Sequence, residues 1–282
     1  MSTVTVRHLL TGSTLGFLAG AAGPQRAIEP ARAPVGPASR PAVAGRAVTD
    51  SEEIALGAAL AAQFNAERGI SPMEQDQRFE AYLQKIADTL GGHSRRHLPW
   101  RIHYDPNPGF GSGFALPGGH VVIGGGILAL MKTEDEAAAV IAHEIMHIDL
   151  GQVSDRLATL MAEGHRAVSD VSQWKWQEFG QSYGAAKENL CDYEGARLAV
   201  QAGYSPYGIQ TLLETFLALS RLHSPKAPPP PPLIVRINQI KNEIRTFHWE
   251  KLNKTRPLRL PYGAADVSTR QDVPPRAPPQ RG

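Results

Sequence analysis

Apolar residues recur near the spacing of an amphipathic helix in three separate parts of this chain, and in the last of them they fall at three- and four-residue steps. The first helix is predicted to begin at the capping box Thr49-Asp50-Ser51-Glu52. A second is predicted from about Gln75 to Leu90, and a last one from Leu233 to about Phe247. The apolar positions are Ile54, Leu56, Leu60 and Phe64, then Phe79, Tyr82, Leu83 and Ile86, and finally Leu233, Ile237, Ile240 and Ile244.

Alternation of apolar and polar residues, the period of a strand, occurs between the second helix and residue 126. Residues 100–104 alternate and stop at Asp105-Pro106, a turn sequence. Phe114-Ala115-Leu116 and His120–Ile123 flank Pro117-Gly118-Gly119, which predicts a hairpin. A small sheet is therefore expected in this part of the chain.

The middle of the chain is predicted to be helical. Thr133-Glu134-Asp135-Glu136 is a second capping box, and an apolar run follows it. A long helical region is predicted from about Ser154 to Ala202. Helices thus dominate a domain expected over residues 48–262, with one small β-sheet early in it, so the predicted fold class is α+β.

The two ends of the chain differ in composition from the middle. Residues 1–22 are predicted to be a signal peptide, because an apolar stretch from Leu9 ends at the small residues Ala19-Gly20-Ala21. Organelle import is the alternative, since residues 1–46 contain five arginines and one acidic residue. Proline-rich composition predicts a disordered linker at 23–47, a disordered tail at 263–282 and an extended loop at Pro228–Pro232.

Charge and cysteine content narrow the function classes. The formal net charge is +2 and no Lys/Arg run is present, so nucleic acid is not an expected partner. A single cysteine, Cys191, excludes an intrachain disulfide framework and a cysteine-based zinc cluster. No segment after the N-terminal one has the uninterrupted apolar length of a membrane span, so membrane contact is expected to be peripheral at most.

The helix after Thr133 carries residues that suit a catalytic metal. His143 and His147 are four residues apart, so both imidazoles lie on one face of the helix and can bind one Zn²⁺. Glu144 follows the first histidine, which is the position of a general base for a water molecule beside the metal. A zinc site with Glu144 as the catalytic residue is therefore predicted.

A catalytic zinc needs a third protein ligand. Glu188 and Asp192 are also four residues apart in helical sequence, 45 residues after the first histidine (188 − 143). Glu188 is the candidate third ligand. Asp192 is the candidate partner for the outer nitrogen of a ligand histidine. Acids on a helix usually face solvent, and this pair gains interest only because the histidine helix needs a partner.

Several segments in order resemble the HtpX and CAAX-prenyl-protease family of zinc metallopeptidases, in particular its soluble exported members. The resemblance covers roughly residues 50–245. It rests on the strand motif at 114–122, the helix at 136–147, the motif at Glu188 to Asp192, where Cys191 replaces the usual alanine, and Ala202-Gly203-Tyr204-Ser205-Pro206.

This resemblance implies a zincin-like metallopeptidase with one zinc per chain. The implied ligands are His143, His147 and Glu188, with Glu144 as base. It also implies an unfolded or extended polypeptide substrate, added as a strand along the edge formed by His120, Val121 and Val122. Quality control of proteins in the cell envelope or periplasm is the implied role. No oligomeric state is predicted.

The chain also departs from the family pattern. Ser112-Gly113 replaces Asn-Ala, Gly151-Gln152 replaces Arg-His, and Gly184-Ala185 replaces Ser-Arg. These departures favour an alternative function, a zinc-binding, chaperone-like relative that cleaves little. His223-Ser224-Pro225 and Arg236 resemble the family's histidine-proline segment and its arginine, which makes His223 a candidate metal-proximal switch.

Overall fold

The computed structural model describes residues 48–70, 74–164, 166–223 and 231–258. The helices are α1 (Asp50–Arg68), α2 (Glu74–Gly91), α3 (Gly125–Leu128), α4 (Glu134–Asp149), α5 (Gln152–Gly164), α6 (Ala185–Gln201), α7 (Gly208–His223) and α8 (Pro231–Thr246). The strands are β1 (Arg101–Asp105), β2 (Gly113–Leu116) and β3 (His120–Gly124). The observed fold is mainly helical with one small sheet, which confirms the predicted α+β class.

Local signals placed helices α1, α2, α4 and α8 close to their observed positions. Both predicted capping boxes are present, at Thr49 with Glu52 and at Thr133 with Glu136. The apolar stripe of α8 is buried along its length. Helix α8 nevertheless begins at Pro231, inside the loop predicted at Pro228–Pro232, because proline is well tolerated in the first turn of a helix.

Other predictions concern residues that the structure does not describe. The signal peptide at 1–22, the linker at 23–47 and the tail at 263–282 all lie outside the described residues. So do Pro228 to Pro230. Within the described ranges, no helix combines the length and apolar character needed to cross a bilayer.

The sheet has the order β1-β3-β2. The predicted hairpin of β2 and β3 is present and antiparallel, and β1 lies parallel to β3 on its other side. The prediction that His120, Val121 and Val122 form a free edge for substrate is therefore wrong. A hairpin has two edges, one on each strand, and the sequence does not reveal which of them pairs with β1. In the structure β1 pairs with β3, so β2 is an outer strand of the sheet.

The helical region predicted from about Ser154 to Ala202 contains two helices, but the structure interrupts it between them. Helix α5 ends at Gly164, and an irregular segment with two short 3₁₀ turns precedes α6. Gly184, with φ of 90°, stands immediately before α6 in a conformation that interrupts a helix. Trp174 and Phe179 are fully buried from this segment, so their apolar character reflects anchoring of a loop. Helix α7 was not among the predicted elements.

Helix α1 packs tightly on the turn between β2 and β3. Gly118 in that turn has φ of 71° and abuts the backbone of Ile54. On the helix side, a methyl group at Gly57 would lie 1.9 Å from the carbonyl oxygen of Pro117. The pair of glycines thus permits the backbone contact that holds the hairpin in place.

We expect Gly57→Ala to lower the free energy of unfolding by about 2 kcal/mol or more. Overpacking against backbone atoms should outweigh the gain of about 1 kcal/mol that alanine brings to a helix. Urea unfolding measures the change. Gly92→Ala is the matched control, because the nearest atoms to its methyl group would be 3.5 Å away. Equal stability of the two variants would contradict this packing.

Candidate metal centre

Helix α4 presents His143 and His147 on one buried face, as predicted. Their Nε2 atoms lie 3.1 Å apart, and the two side chains are almost inaccessible to solvent. The four-residue spacing produces this pairing, and the Thr133–Glu136 capping box defines where the helix begins.

Helix α6 brings the predicted third ligand to the pair. Glu188 Oε2 lies 3.3 Å from His143 Nε2 and 3.9 Å from His147 Nε2. Its other oxygen, Oε1, accepts hydrogen bonds from the Ser182 hydroxyl and the Tyr183 backbone N–H, each at 3.0 Å. The carboxylate is thus oriented with one oxygen toward the histidines.

A close helix contact makes this approach possible. Gly195 lies seven residues after Glu188 on the same helix, against the backbone of α4. A methyl group at Gly195 would lie 3.1 Å from the backbone nitrogen of His143. A larger residue would therefore separate α6, and Glu188 with it, from the histidines.

Asp192 meets the prediction made for it. Its Oδ1 accepts from His143 Nδ1 at 2.9 Å. The guanidinium of Arg236 on α8 binds the same carboxylate through Nε, at 2.5 Å, and Nη2, at 2.8 Å. All three groups are buried. The predicted family arginine is therefore linked to His143 through Asp192.

The sequence did not identify the partner of His147. Gln152 Oε1 accepts from His147 Nδ1 at 2.9 Å. Gly151, with φ of 77°, turns the chain between α4 and α5 so that Gln152 faces back toward the site. The sequence offered one signal for this role of Gln152: it is a polar residue directly after a glycine that ends a helix. Cys191, buried as predicted for a residue in place of alanine, lies 3.4 Å from the same nitrogen.

These contacts decide which ring nitrogens can bind a cation. An acceptor at each Nδ1 places the proton there and leaves the lone pair on each Nε2. With one oxygen of Glu188, the two nitrogens form a group of three donor atoms within 4.8 Å of one another. His143, His147 and Glu188 can therefore hold one metal ion.

The electrostatics of the site favour positive charge. Burial lowers the pKa of His143, but hydrogen bonds to Asp192 and Glu188 outweigh it and raise the pKa to about 9. Burial lowers the pKa of His147 to about 3, and repulsion by His143 adds to this. Burial would raise the pKa of Glu188, yet contact with His143 and His147 brings it to about 2. The carboxylates of Asp192 and Glu188 thus favour a positive charge at His143.

Glu144 lies in a cleft beside the three donor residues. The cleft has a volume of about 260 Å³ and is lined by Glu144, His147, Glu188, Gly113, Ala115 and Tyr183, among others. A methyl group at Gly113 would lie 3.4 Å from Glu144 Oε1. Burial raises the pKa of Glu144 to about 7, and His143 opposes this. The cleft is therefore bounded by β2 on one side and the donor set on the other.

Other predicted residues lie elsewhere. Val121 and Val122 are buried in the core, and His120 pairs with His103 through ring nitrogens 2.8 Å apart. None of these three lines the cleft. His223 is the last residue of α7, and its side chain lies outside the described residues, so its role as a metal-proximal switch stays a prediction.

Comparison with known proteins agrees with this geometry. Residues 74–244 match the family model described as Peptidase family M48. The chain is also similar to a protein described as "Mitochondrial metalloendopeptidase OMA1" from Schizosaccharomyces pombe. The two are 32% identical over 129 residues, which cover 42% of this chain and 37% of the relative. The alignment thus spans little more than a third of the relative's length.

We expect Asp192→Asn to weaken metal binding by about 10- to 100-fold, because His143 loses a charged acceptor and Arg236 its carboxylate partner. Competition against a chromophoric zinc chelator measures the affinity. Asp155→Asn is the matched control, since Asp155 is exposed and paired only loosely with Lys187 at 3.9 Å. Equal affinities in the two variants would show that Asp192 does not support the ligand.

Proposed function

This chain belongs to peptidase family M48, and on that premise we propose that it is a zinc-dependent endopeptidase acting on unfolded or extended polypeptides. One observation carries the proposal. Glu144, His147 and Glu188 line a single cleft with an outer strand of the sheet, and His143 lies beside the other two donor residues. An acid–base group, a metal-binding set and a surface for peptide backbone are thus in one place.

The donor set suits zinc. Ligand atoms of a tetrahedral zinc ion lie about 3.3 Å apart, and the three observed separations are 3.1, 3.3 and 3.9 Å. Two imidazoles and one carboxylate are a known set for catalytic zinc, which keeps a further position open. We therefore assign zinc to His143, His147 and Glu188.

When bound, zinc lowers the pKa of a coordinated water and polarises the substrate carbonyl. The residues of the chain perform the proton transfers. Glu144 accepts the proton of the attacking water and passes it to the nitrogen of the leaving amine. Asp192 and Gln152 hold the two imidazoles in the tautomer that carries its proton on Nδ1 and leaves Nε2 free to bind the metal. Exclusion of water from the buried site strengthens these interactions.

The free edge of β2 is the proposed substrate platform. The N–H of Gly124 donates to the carbonyl of Ser112 at 2.9 Å. Antiparallel pairing alternates, so Phe114 and Leu116 bond to β3, while the N–H and C=O groups of Gly113 and Ala115 face away from it. Both residues line the cleft. A peptide added there would bind through its backbone with little dependence on sequence.

Backbone recognition suits protein quality control, in which substrates differ in sequence but share exposed extended segments. We therefore retain that role as part of the proposal. For location, the apolar stretch from Leu9 supports export, and the arginine content of residues 1–46 supports organelle import. The similar yeast protein is described as mitochondrial, which agrees with import.

We expect Glu144→Gln to keep zinc and to lower cleavage of an unfolded casein substrate by at least about 100-fold, because the general base is lost. His143→Ala is expected to lose both zinc and cleavage. Metal analysis and a cleavage assay are run on the same preparations. Glu163→Gln, an exposed change on α5, is the control for adding a glutamine.

A glutamine variant at position 144 that cleaves at the wild-type rate would remove Glu144 from the mechanism. Wild-type protein that holds one zinc per chain but leaves casein intact would support the alternative, a chaperone-like zinc protein. This alternative function is favoured by the departures from the family pattern at Gly151-Gln152 and Gly184-Ala185.

Pairing with β2 makes a further prediction about the substrate. A strand uses the backbone groups of every second residue toward one neighbour. Single N-methyl groups placed along a cleaved peptide should therefore lower kcat/KM at alternate positions. Ala115→Pro, which removes an outward N–H, should lower kcat/KM for the unmethylated peptide without loss of zinc. An effect that does not alternate along the peptide would contradict strand addition.

A further inference from the structure

Tyr183 carries a buried hydroxyl group that the fold itself does not use. Three buried side-chain polar atoms lack a hydrogen-bond partner within the described residues: Trp100 Nε1, Gln152 Nε2 and the Tyr183 hydroxyl. Of these three residues, Tyr183 is the one that lines the cleft. A buried donor without a partner costs free energy, so its presence at a functional site calls for an explanation.

The ring of Tyr183 is held firmly on two sides. It stacks on the imidazole of His147, with ring centroids 4.4 Å apart and planes 26° apart. The guanidinium carbon of Arg156 lies 3.6 Å from the ring centroid. Two groups this close cannot share one face of the ring, so the ring lies between them. Its hydroxyl therefore has a defined position relative to the metal ligand.

The backbone around Tyr183 is held as well. Arg156 donates to the carbonyl oxygens of Gln181, at 2.7 Å, and Ser182, at 2.8 Å. The backbone N–H of Tyr183 donates to Glu188. One residue thus contacts two members of the donor set, His147 by its ring and Glu188 by its backbone. This arrangement gives the preorganisation that transition-state stabilisation requires.

Among the residues that line the cleft, Gln181 also carries a side-chain donor, but it is exposed, whereas the Tyr183 hydroxyl is buried. Glu144 and Glu188 carry acceptors, and the hydroxyl of Ser182 donates to Glu188. Phe114 and Phe179 provide apolar walls. A phenol has an ordinary pKa of about 10, so the hydroxyl keeps its proton at neutral pH. Attack on a peptide carbonyl creates negative charge on its oxygen, and that charge needs donors.

We propose that the Tyr183 hydroxyl donates a hydrogen bond to the substrate carbonyl oxygen as that oxygen gains negative charge. The proposal rests on the proposed endopeptidase function and assigns a further catalytic residue to it. The proton stays on the phenol throughout, and no covalent bond is made or broken there. The bond strengthens as charge develops, so it stabilises the transition state more than the bound substrate.

The test is Tyr183→Phe, which keeps the ring between Arg156 and His147 and removes only the hydroxyl. We expect kcat to fall about 100-fold, with KM within about twofold, because the donor acts in the transition state. Zinc content and melting temperature should match the wild type. Tyr82→Phe is the matched control, since its hydroxyl donates to Glu134 at 2.7 Å and it does not line the cleft.

A second measurement does not depend on turnover. A phosphonamidate peptide imitates the tetrahedral, negatively charged species, and the parent peptide imitates the ground state. Tyr183→Phe should weaken binding of the phosphonamidate by about the factor lost in kcat. Binding of the parent peptide, measured in a Glu144→Gln background to prevent cleavage, should not change.

Three results would overturn the proposal. The first is a Tyr183→Phe variant whose kcat stays within about threefold of the wild type. The second is a loss of activity accompanied by loss of zinc or a lower melting temperature, which would show a structural role. The third is equal weakening of phosphonamidate and parent peptide. If the wild type cleaves nothing, the proposed function fails, and the two binding constants still decide whether Tyr183 recognises a tetrahedral anion.

Discussion

Helices α4 and α6 approach each other at Gly195 so closely that a single methyl group there would lie 3.1 Å from the backbone of His143. This contact determines how far Glu188 and Asp192 reach toward the histidines. Side chains four residues apart on each helix then face one another across the gap. The metal-binding set is a product of this packing, because neither helix holds it alone.

The contact also buries several ionisable groups together. Arg236, Asp192 and His143 form a chain of hydrogen bonds away from solvent, and Glu188 lies at its inner end. Taking such groups out of water is unfavourable unless each one is paired. Buried ion pairs seldom add stability over apolar residues of similar size. Their presence here is better explained by the orientation and charge that they give to His143.

Helix α5 supports the opposite side of the site. Gln152 at its start binds His147, and Arg156 one turn later binds the carbonyl oxygens of the segment before α6 and the ring of Tyr183. That segment, in turn, orients Glu188. The irregular backbone at residues 179–184 is therefore held from α5, and residues 179–183 line the cleft together with β2. A continuous helix there would place neither Ser182 nor Tyr183 against the carboxylate.

The sequence by itself determined the features that depend on near neighbours in the chain. Capping at Thr133 and the four-residue spacings of His143 with His147 and of Glu188 with Asp192 are local, because hydrogen bonds and side-chain directions within a helix involve residues a turn apart. These features predicted the ligands and the base. The matching of separate motifs to one family linked them across the chain.

Only the tertiary structure decided which strand has a free edge, which residue supports His147, and where Tyr183 lies. Strand order depends on β1, which pairs with β3 and not with β2, its neighbour along the chain. Gln152, Arg156 and Tyr183 have no spacing that marks them, since their roles come from contacts between separate elements. Helical periodicity also failed between Gly164 and Ala185, because buried aromatic residues anchor a loop as readily as they fill one face of a helix.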